Sequence, residues 1–334
     1  MTVATAPQGS ARRALAPGLL RYVVVRVVSA VCVMFAVSIV VFLFIHAAPG
    51  GPEHAIGGEL ATEEQLESIR QRYGFDRPLP EQYLQFLGGI LHGDFGESII
   101  QKTPVATLIG ETVKVTLPLL AFTWILAMGA GLALGILTAS RPGSRLDRFS
   151  LGMTTLGAST PAFVVGTFLA WLFGVQLGWF PALGAGEGGL DTVRHLVLPA
   201  ATAAIVLLAV TTRITRVRVG QILEEDQATF ARARGLGRWW TLKHVVLRNA
   251  GVQLVTLSGS VVVSLFTGLI LVERVFNLPG IGSLMVDAIH DRDMPVIQGV
   301  TFCVALLVVT VNLVVDLVCM AIDPRLRARL ETNR

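Results

Sequence analysis

Six stretches of this chain are apolar over membrane-spanning lengths, and no other feature narrows the fold so sharply. They cover 27–48, 115–139, 149–175, 196–212, 251–272 and 296–319. A helix rises 1.5 Å per residue, so roughly 20 residues cross the ~30 Å of hydrocarbon in a bilayer. In lipid each backbone N–H and C=O must find its partner inside the protein, which leaves helices for runs of this length. The expected fold is all-α: a polytopic membrane protein with six transmembrane helices. Only 15% of residues are charged, against roughly a quarter in a soluble domain. The fourth run is short and is expected to continue past Arg213 and Arg216, whose aliphatic stems let the charge snorkel.

Orientation follows from the basic residues. Arg12, Arg13, Arg21 and Arg26 lie at the start, and Arg141, Arg145 and Arg148 in the second connection. The 213–250 region carries Arg213, Arg216, Arg218, Arg232, Arg234, Arg238, Lys243 and Arg248; Arg325, Arg327, Arg329 and Arg334 close the chain. The positive-inside rule then puts both termini in the cytoplasm. This bias accounts for the pI near 9.3 without a nucleic-acid partner. Cys32, Cys303 and Cys319 all fall in apolar runs and imply no disulfide framework. The resulting plan has a flexible cytoplasmic start at 1–21 and a first helix at 22–48, too long for a signal-peptide core. An extracytoplasmic cap follows at 49–112, then a core of five helices at 113–325 with a cytoplasmic loop at about 218–250, and a tail at 326–334.

Within the cap, Thr62-Glu63-Glu64-Gln65 has the form of a capping box, with Leu66, Ile69 and Tyr73 at helical spacing and Gly74 as the stop. Arg77-Pro78-Leu79-Pro80 and Gly93-Asp94-Phe95-Gly96 read as turns. In the second run Ala127, Gly131, Gly135 and Ala139 recur every four residues, a spacing that lets membrane helices approach closely. Pro118, Pro161 and Pro199 mark possible kinks near span ends. In the fifth run Gln253, Thr256, Ser260, Ser264 and Thr267 fall within an arc of about 80° at ~100° per residue. Such a stripe is either the wall of a hydrated path or a packing seam of small polar residues. The basic loop before it, from Thr229 through Gly235 to Asn249, reads as two short helices around Gly235 with the make-up of a docking surface for a cytoplasmic partner.

Catalytic signatures are missing. None of the three lysines, Lys102, Lys114 and Lys243, follows a glycine, so the chain has no phosphate-binding G-x-x-x-x-G-K-[ST] loop. No H-E-x-x-H pair or metal-ligand spacing is present. No chain of Asp, Glu and His runs through the spans as a proton relay would. The expected role is non-catalytic, and any nucleotide must be bound by another chain.

Several runs resemble the inner-membrane permeases of bacterial ABC importers for dipeptides, oligopeptides and nickel, specifically the B-type subunit. The likeness covers about 21–327. Tyr73-Gly74-Phe75-Asp76-Arg77-Pro78-Leu79-Pro80-Glu81-Gln82-Tyr83 resembles the family's external G-x-D-x-P-x-x-x-Q-Y run, and Gly93-Asp94-Phe95-Gly96-Glu97-Ser98 its G-D-[LF]-G-x-S turn. Glu273-Arg274-Val275-Phe276-Asn277-Leu278-Pro279-Gly280-Ile281-Gly282 and Arg292-Asp293-Met294-Pro295-Val296-Ile297-Gln298-Gly299 resemble the segment before the last helix. Asn312, Asp316 and Asp323-Pro324-Arg325-Leu326-Arg327 are similar to the closing pattern. The loop residues Ala231, Arg232, Ala233, Arg234, Gly235, Arg248 and Asn249 resemble the family's coupling motif, with Thr229 in place of its usual glutamate. Gln253 and Cys319 replace a usual proline and tyrosine.

The resemblance implies a type I importer permease that docks ATP-binding subunits through this loop and forms half of a translocation pore. It implies a second permease subunit, two ATP-binding subunits carrying ATP and Mg, an extracytoplasmic substrate-binding protein and a peptide substrate. The setting is the bacterial cytoplasmic membrane. Thr256, Ser260, Ser264 and Thr267 would line the pore, and Glu53, Asp76, Glu81, Asp94 and Glu97 would face the binding protein. A nickel or metallophore importer of the same family is the nearest alternative, and a stand-alone channel or scaffold the alternative from another class.

Overall fold

The computed structural model describes residues 15–46, 51–58 and 61–322. Most of the expected flexible start, the Asp323–Arg327 pattern and the tail at 326–334 lie outside the described residues. Thirteen helices make up the described chain, without a strand among the described residues. They are α1 (Leu15–His46), α2 (Pro52–Gly57), α3 (Glu63–Tyr73), α4 (Leu79–Leu91), α5 (Val105–Ala139), α6 (Arg145–Ser159) and α7 (Ala162–Leu169). After them come α8 (Gly189–Glu224), α9 (Asp226–Ala233), α10 (Arg238–Thr241), α11 (Leu247–Val275), α12 (Ile281–His290) and α13 (Met294–Ile322). A π-helical stretch, Ala170–Gln176, extends α7, and another, Leu242–Val246, joins α10 to α11.

Among the described residues five helical runs are long and apolar enough to cross a membrane: Arg21–Phe44 of α1, α5, α8, the continuous α10–α11 and α13. α6 and α7 make a sixth crossing if the pair is one broken span; they are bent by 104° within the run 149–175 that was expected to cross, with Pro161 as its possible kink. Pro161 is the cause. It supplies no N–H to continue α6 and holds Thr160 in the extended region (φ −95°, ψ 127°). Pro118 and Pro199 instead sit inside α5 and α8, because both helices are longer than their apolar windows. α1 is likewise helical from Leu15, ahead of the expected start at 22.

The central packing is α5 against α8. A Cβ on Gly131 would come 2.7 Å from the Thr211 Cβ, and one on Gly135 would come 2.6 Å from the Thr215 Cβ. The four-residue ladder of small residues is therefore a backbone-to-helix seam. Ala127 and Ala139 are buried along it too. Leu119, Leu196, Leu257, Leu265 and Phe276 close the core where α11 joins the pair.

The cap folds as the local signals dictate. Gln65 N–H donates to the Thr62 hydroxyl at 3.4 Å while Thr62 N–H donates to Gln65 Oε1 at 2.9 Å. Gly74 ends α3 in the left-handed region at φ 71°. The expected turn at 77–80 is the start of α4, where Pro78 and Pro80 occupy positions that need no N–H partner. The cap is tied to α1 through Tyr83 and Ser38, whose hydroxyls lie 2.7 Å apart, and through His46 Nε2, 2.9 Å from Gln82 Oε1. At the opposite end Arg26 pairs with Asp316 at 3.1 Å and joins α1 to α13.

Gly135→Val will drive α5 and α8 apart and destabilise the protein by about 1–3 kcal/mol, the usual cost of overpacking. Thermal unfolding in detergent measures it; Gly129→Ala, with no atom near the added methyl group, should unfold no sooner than wild type, since alanine is the better helix former.

Candidate functional site

The basic loop has the expected form. α9 ends in a Schellman turn: Leu236 N–H donates to the Ala231 carbonyl at 3.1 Å, and Gly235 N–H to that of Arg232 at 2.9 Å. Gly235 takes φ 75°, and no atom lies near its missing side chain. Its requirement is therefore conformational and leaves the surface above it open. Ala228 and Ala231 face inward, and Ala228 packs with Val219, Ile222 and Val246.

Ala233, Arg234, Gly235, Arg248 and Asn249 are exposed. Arg232 is already engaged, donating to the Leu223 carbonyl at 2.9 Å and to the Thr229 hydroxyl at 3.2 Å. Asn249 donates to Gln227 Oε1 at 3.0 Å and holds α9 against the start of α11. These two shape the element, while Arg234 and Arg248 are exposed and form no ion pair among the described residues. Sequence reasoning passed over the aromatic side chains beside them. Phe230 is 69% exposed and Trp239 is 84% exposed, which gives the surface apolar anchors. Their signal was a large aromatic residue in an otherwise polar loop.

A second ion pair, besides Arg26–Asp316, anchors this end of the bundle. Arg216 grips Asp147 with Nε to Oδ1 at 2.5 Å and Nη2 to Oδ2 at 2.9 Å. Asp147 also accepts from Gly143 N–H at 2.9 Å. Arg216 thus fastens α8 to the α5–α6 connection and does not snorkel to the lipid interface.

The polar stripe on α11 faces outward along its length. Gln253, Thr256, Ser260, Ser264 and Thr267 are exposed, while Leu257, Val261, Leu265 and Leu269 pack inward. The stripe is exposed along most of its length, but at Thr256 it meets α13, the hydroxyl lying 3.6 Å from Cys319 Sγ. Thr256 and Ser260 donate back to the Val252 and Thr256 carbonyls. Ser258, off the stripe, is the packing serine and accepts from Trp124 Nε1 at 3.1 Å.

At the cap end the sequence motifs meet in space. Asp293 accepts from the Ser98 hydroxyl at 2.5 Å and from Ile99 and Ile100 N–H at 3.2 and 3.4 Å, so the G-D-F-G-E-S turn is fastened to the segment before α13. Gln298 donates to the Val41 carbonyl of α1 at 3.0 Å. Glu273 is fully buried and accepts from the Thr116 hydroxyl at 2.8 Å and Ser283 N–H at 2.9 Å. Gly280 and Gly282 lie so close to that carboxylate that any side chain there would overlap it.

Of the acids expected to face a binding protein, Asp76 and Glu81 are exposed. Glu97 lies 3.7 Å from Arg72, and Asp94 accepts from Gly96 N–H at 2.9 Å. The Arg70 guanidinium, 2.5 Å from Glu53, holds its carboxyl below the usual carboxylate range.

Comparison with known proteins places these features in context. Residues 131–328 match the family described as binding-protein-dependent transport system inner membrane component, and residues 19–119 match its N-terminal companion. The probable peptide ABC transporter permease protein y4tP of Sinorhizobium fredii is 38% identical over 309 residues, covering 92% of this chain and 99% of the relative. The glutathione transport system permease protein GsiC of Escherichia coli K12 has the same identity and coverage. Among solved structures, an inward-facing MetNI methionine ABC transporter aligns with a TM-score of 0.55 at 17% identity, over 65% of this chain and 96% of that one. That likeness establishes the type I permease fold.

Asp293→Ala strands buried donors at Ser98 and Ile99. The expected cost is about 1–3 kcal/mol, visible as faster proteolysis of the 93–104 segment with the rest of the chain still protected.

Proposed function

Because this chain belongs to the family of binding-protein-dependent transport system inner membrane components, we propose that it is the permease subunit of an ATP-driven importer for di- or oligopeptides. It forms half of the translocation path, beside a second permease subunit. ATP and Mg are held by two ATP-binding subunits, and an extracytoplasmic binding protein delivers the solute. The cap faces outward, and the α9–α10 loop and both termini face the cytoplasm, as the basic residues direct. Relatives named for peptide and glutathione transport favour a peptide substrate over nickel or a metallophore.

The observation that carries this reading is the surface around Gly235. A short helix with a buried alanine face is braced by Arg232 and Asn249 against α8 and α11, and Phe230 on it, Arg234 at its end and Trp239 on α10 are exposed together around Gly235. Aromatic and Arg side chains are the residue types that dominate binding energy at protein interfaces. A displacement of this element passes directly into α8 and into α11, which carries the stripe. A stand-alone channel has no use for such an element. On α11 the stripe supplies hydroxyls to a path shared with the partner permease.

The test is ATP-driven peptide uptake by the complete importer in proteoliposomes. Gly235→Val places a β-branched residue in the left-handed region, at a cost above about 1–2 kcal/mol. Insertion should be normal and uptake lost, whereas Gly235→Asn, which tolerates that region, should retain most of it. Equal uptake in both variants and wild type contradicts the docking role. Ser260→Leu and Ser264→Leu should slow uptake with assembly intact; wild-type rates would return the stripe to a lipid-facing surface.

A further inference from the structure

Between α11, α12 and α13 lies a cavity of ≈ 260 Å³ with apolar walls: Phe266 and Ile270 of α11, Met285 of α12 and Val304 of α13. Burial gives its direction. Thr116, Leu269 and Val300 on its lining are buried and form the floor, whereas Thr267 is exposed and marks the mouth. Thr267 is also the last residue of the α11 stripe. The cavity therefore opens on the face that the proposed path follows.

The floor has no polar group left to offer. Glu273 is fully buried, and its two oxygens are taken by the Thr116 hydroxyl and the Ser283 N–H. The Thr116 oxygen in turn accepts from Ile281 N–H at 2.8 Å. Gly280 and Gly282 close over the carboxylate from the other side. This polar knot pins α5, α11 and the start of α12 around the cavity and holds it open. A charged or polar occupant would lose its water at depth and gain no partner. An apolar one loses nothing. Interiors tolerate few voids larger than a water molecule, and an apolar cavity of about 150 Å³ is enough to bind benzene. This one has room for a phenyl or indole ring.

We propose that this cavity receives an apolar side chain of the transported solute, of aromatic or large aliphatic size, as the solute moves along the stripe. The proposal rests on the importer reading above and adds to it that the permease itself discriminates among peptides. Met285 and Phe266 suit a changing occupant, since the unbranched thioether adapts to different shapes and Phe266 can meet a ring edge to face. Thr267, at the mouth, can serve the solute's backbone amides, which stay outside. A mouth on a hydroxyl-bearing face favours a solute over a lipid chain.

The experiment measures ATP-driven uptake by the complete importer with its binding protein in proteoliposomes. The substrates are tripeptides with glycine, phenylalanine or tryptophan between two alanines. Val304→Trp fills the cavity from α13, and the ratio of phenylalanine-peptide to glycine-peptide uptake should fall about tenfold, the lower end of what one apolar pocket discriminates. The binding protein is the same throughout, so its own preference cancels between variants. Met285→Ala enlarges the cavity and should raise the ratio of tryptophan-peptide to phenylalanine-peptide uptake. On the unsubstituted importer, a p-azidophenylalanine tripeptide irradiated during ATP turnover should label Phe266, Ile270, Met285 or Val304, as mapped by mass spectrometry.

Uptake ratios unmoved by both substitutions, or azide label confined to residues outside the cavity, would overturn the assignment. A lipid chain or a partner side chain filling the cavity gives that result. Should Val304→Trp fail to assemble, Met285→Ala and the labelling of the unsubstituted protein still decide. No ATP-driven uptake of any of the peptides by the unsubstituted importer refutes the importer reading and this assignment with it; uptake of all three with unmoved ratios refutes the pocket alone.

Discussion

Close approach of α5 and α8 at Gly131 and Gly135 is the contact on which both ends of the molecule depend. Lipid tails are as apolar as leucine, so membrane helices gain little from the hydrophobic effect and associate through packing and hydrogen bonds. Removing two side chains lets the Thr211 and Thr215 methyl groups meet the α5 backbone directly. The paired helices then reach from Thr116, which grips Glu273, to Asp147 and Arg216 beside the basic loop. A shift at either end is carried along a rigid pair.

Polar nodes fix what the seam leaves free. Asp293 gathers the turn at 98–100, Glu273 gathers α5 and the start of α12, and Arg216 gathers α6 and α8. Each joins segments that no local rule connects. Breaking one partner of such a node leaves a buried group unpaired, which costs far more than the intact interaction returns. These nodes therefore set geometry more than they add stability. Glu273 and Asp293 are held by neutral donors, whereas Asp147 is held by a guanidinium.

Much of this was legible from the sequence because its signals are local. Apolar run length located the spans, the Thr62–Gln65 box located α3, and the ladder from Ala127 to Ala139 located the seam. Gly235 and its alanines located the α9 turn. What escaped depends on distance along the chain. Nothing near Asp147 announces Arg216, 69 residues away, and nothing near Glu273 announces Thr116, 157 residues away. Pro161 was legible as a kink, but hydropathy, which counts apolar residues and ignores the missing N–H, did not show the size of the bend. The motif residues Gln82, Tyr83 and Gln298 are recognisable in sequence, yet only the fold shows them clamping the cap and α13 to α1.

The stripe and the aromatic surface at Phe230 and Trp239 are both exposed, and in the proposed importer both would meet other chains. The most direct measurement is purification of the tagged chain from its native membrane in mild detergent, with the co-purifying proteins identified by mass spectrometry. Recovery of a second permease together with ATP-binding subunits is the predicted result. A homo-oligomer without an ATPase, reproduced across detergents, would contradict the account and leave the basic loop without a role.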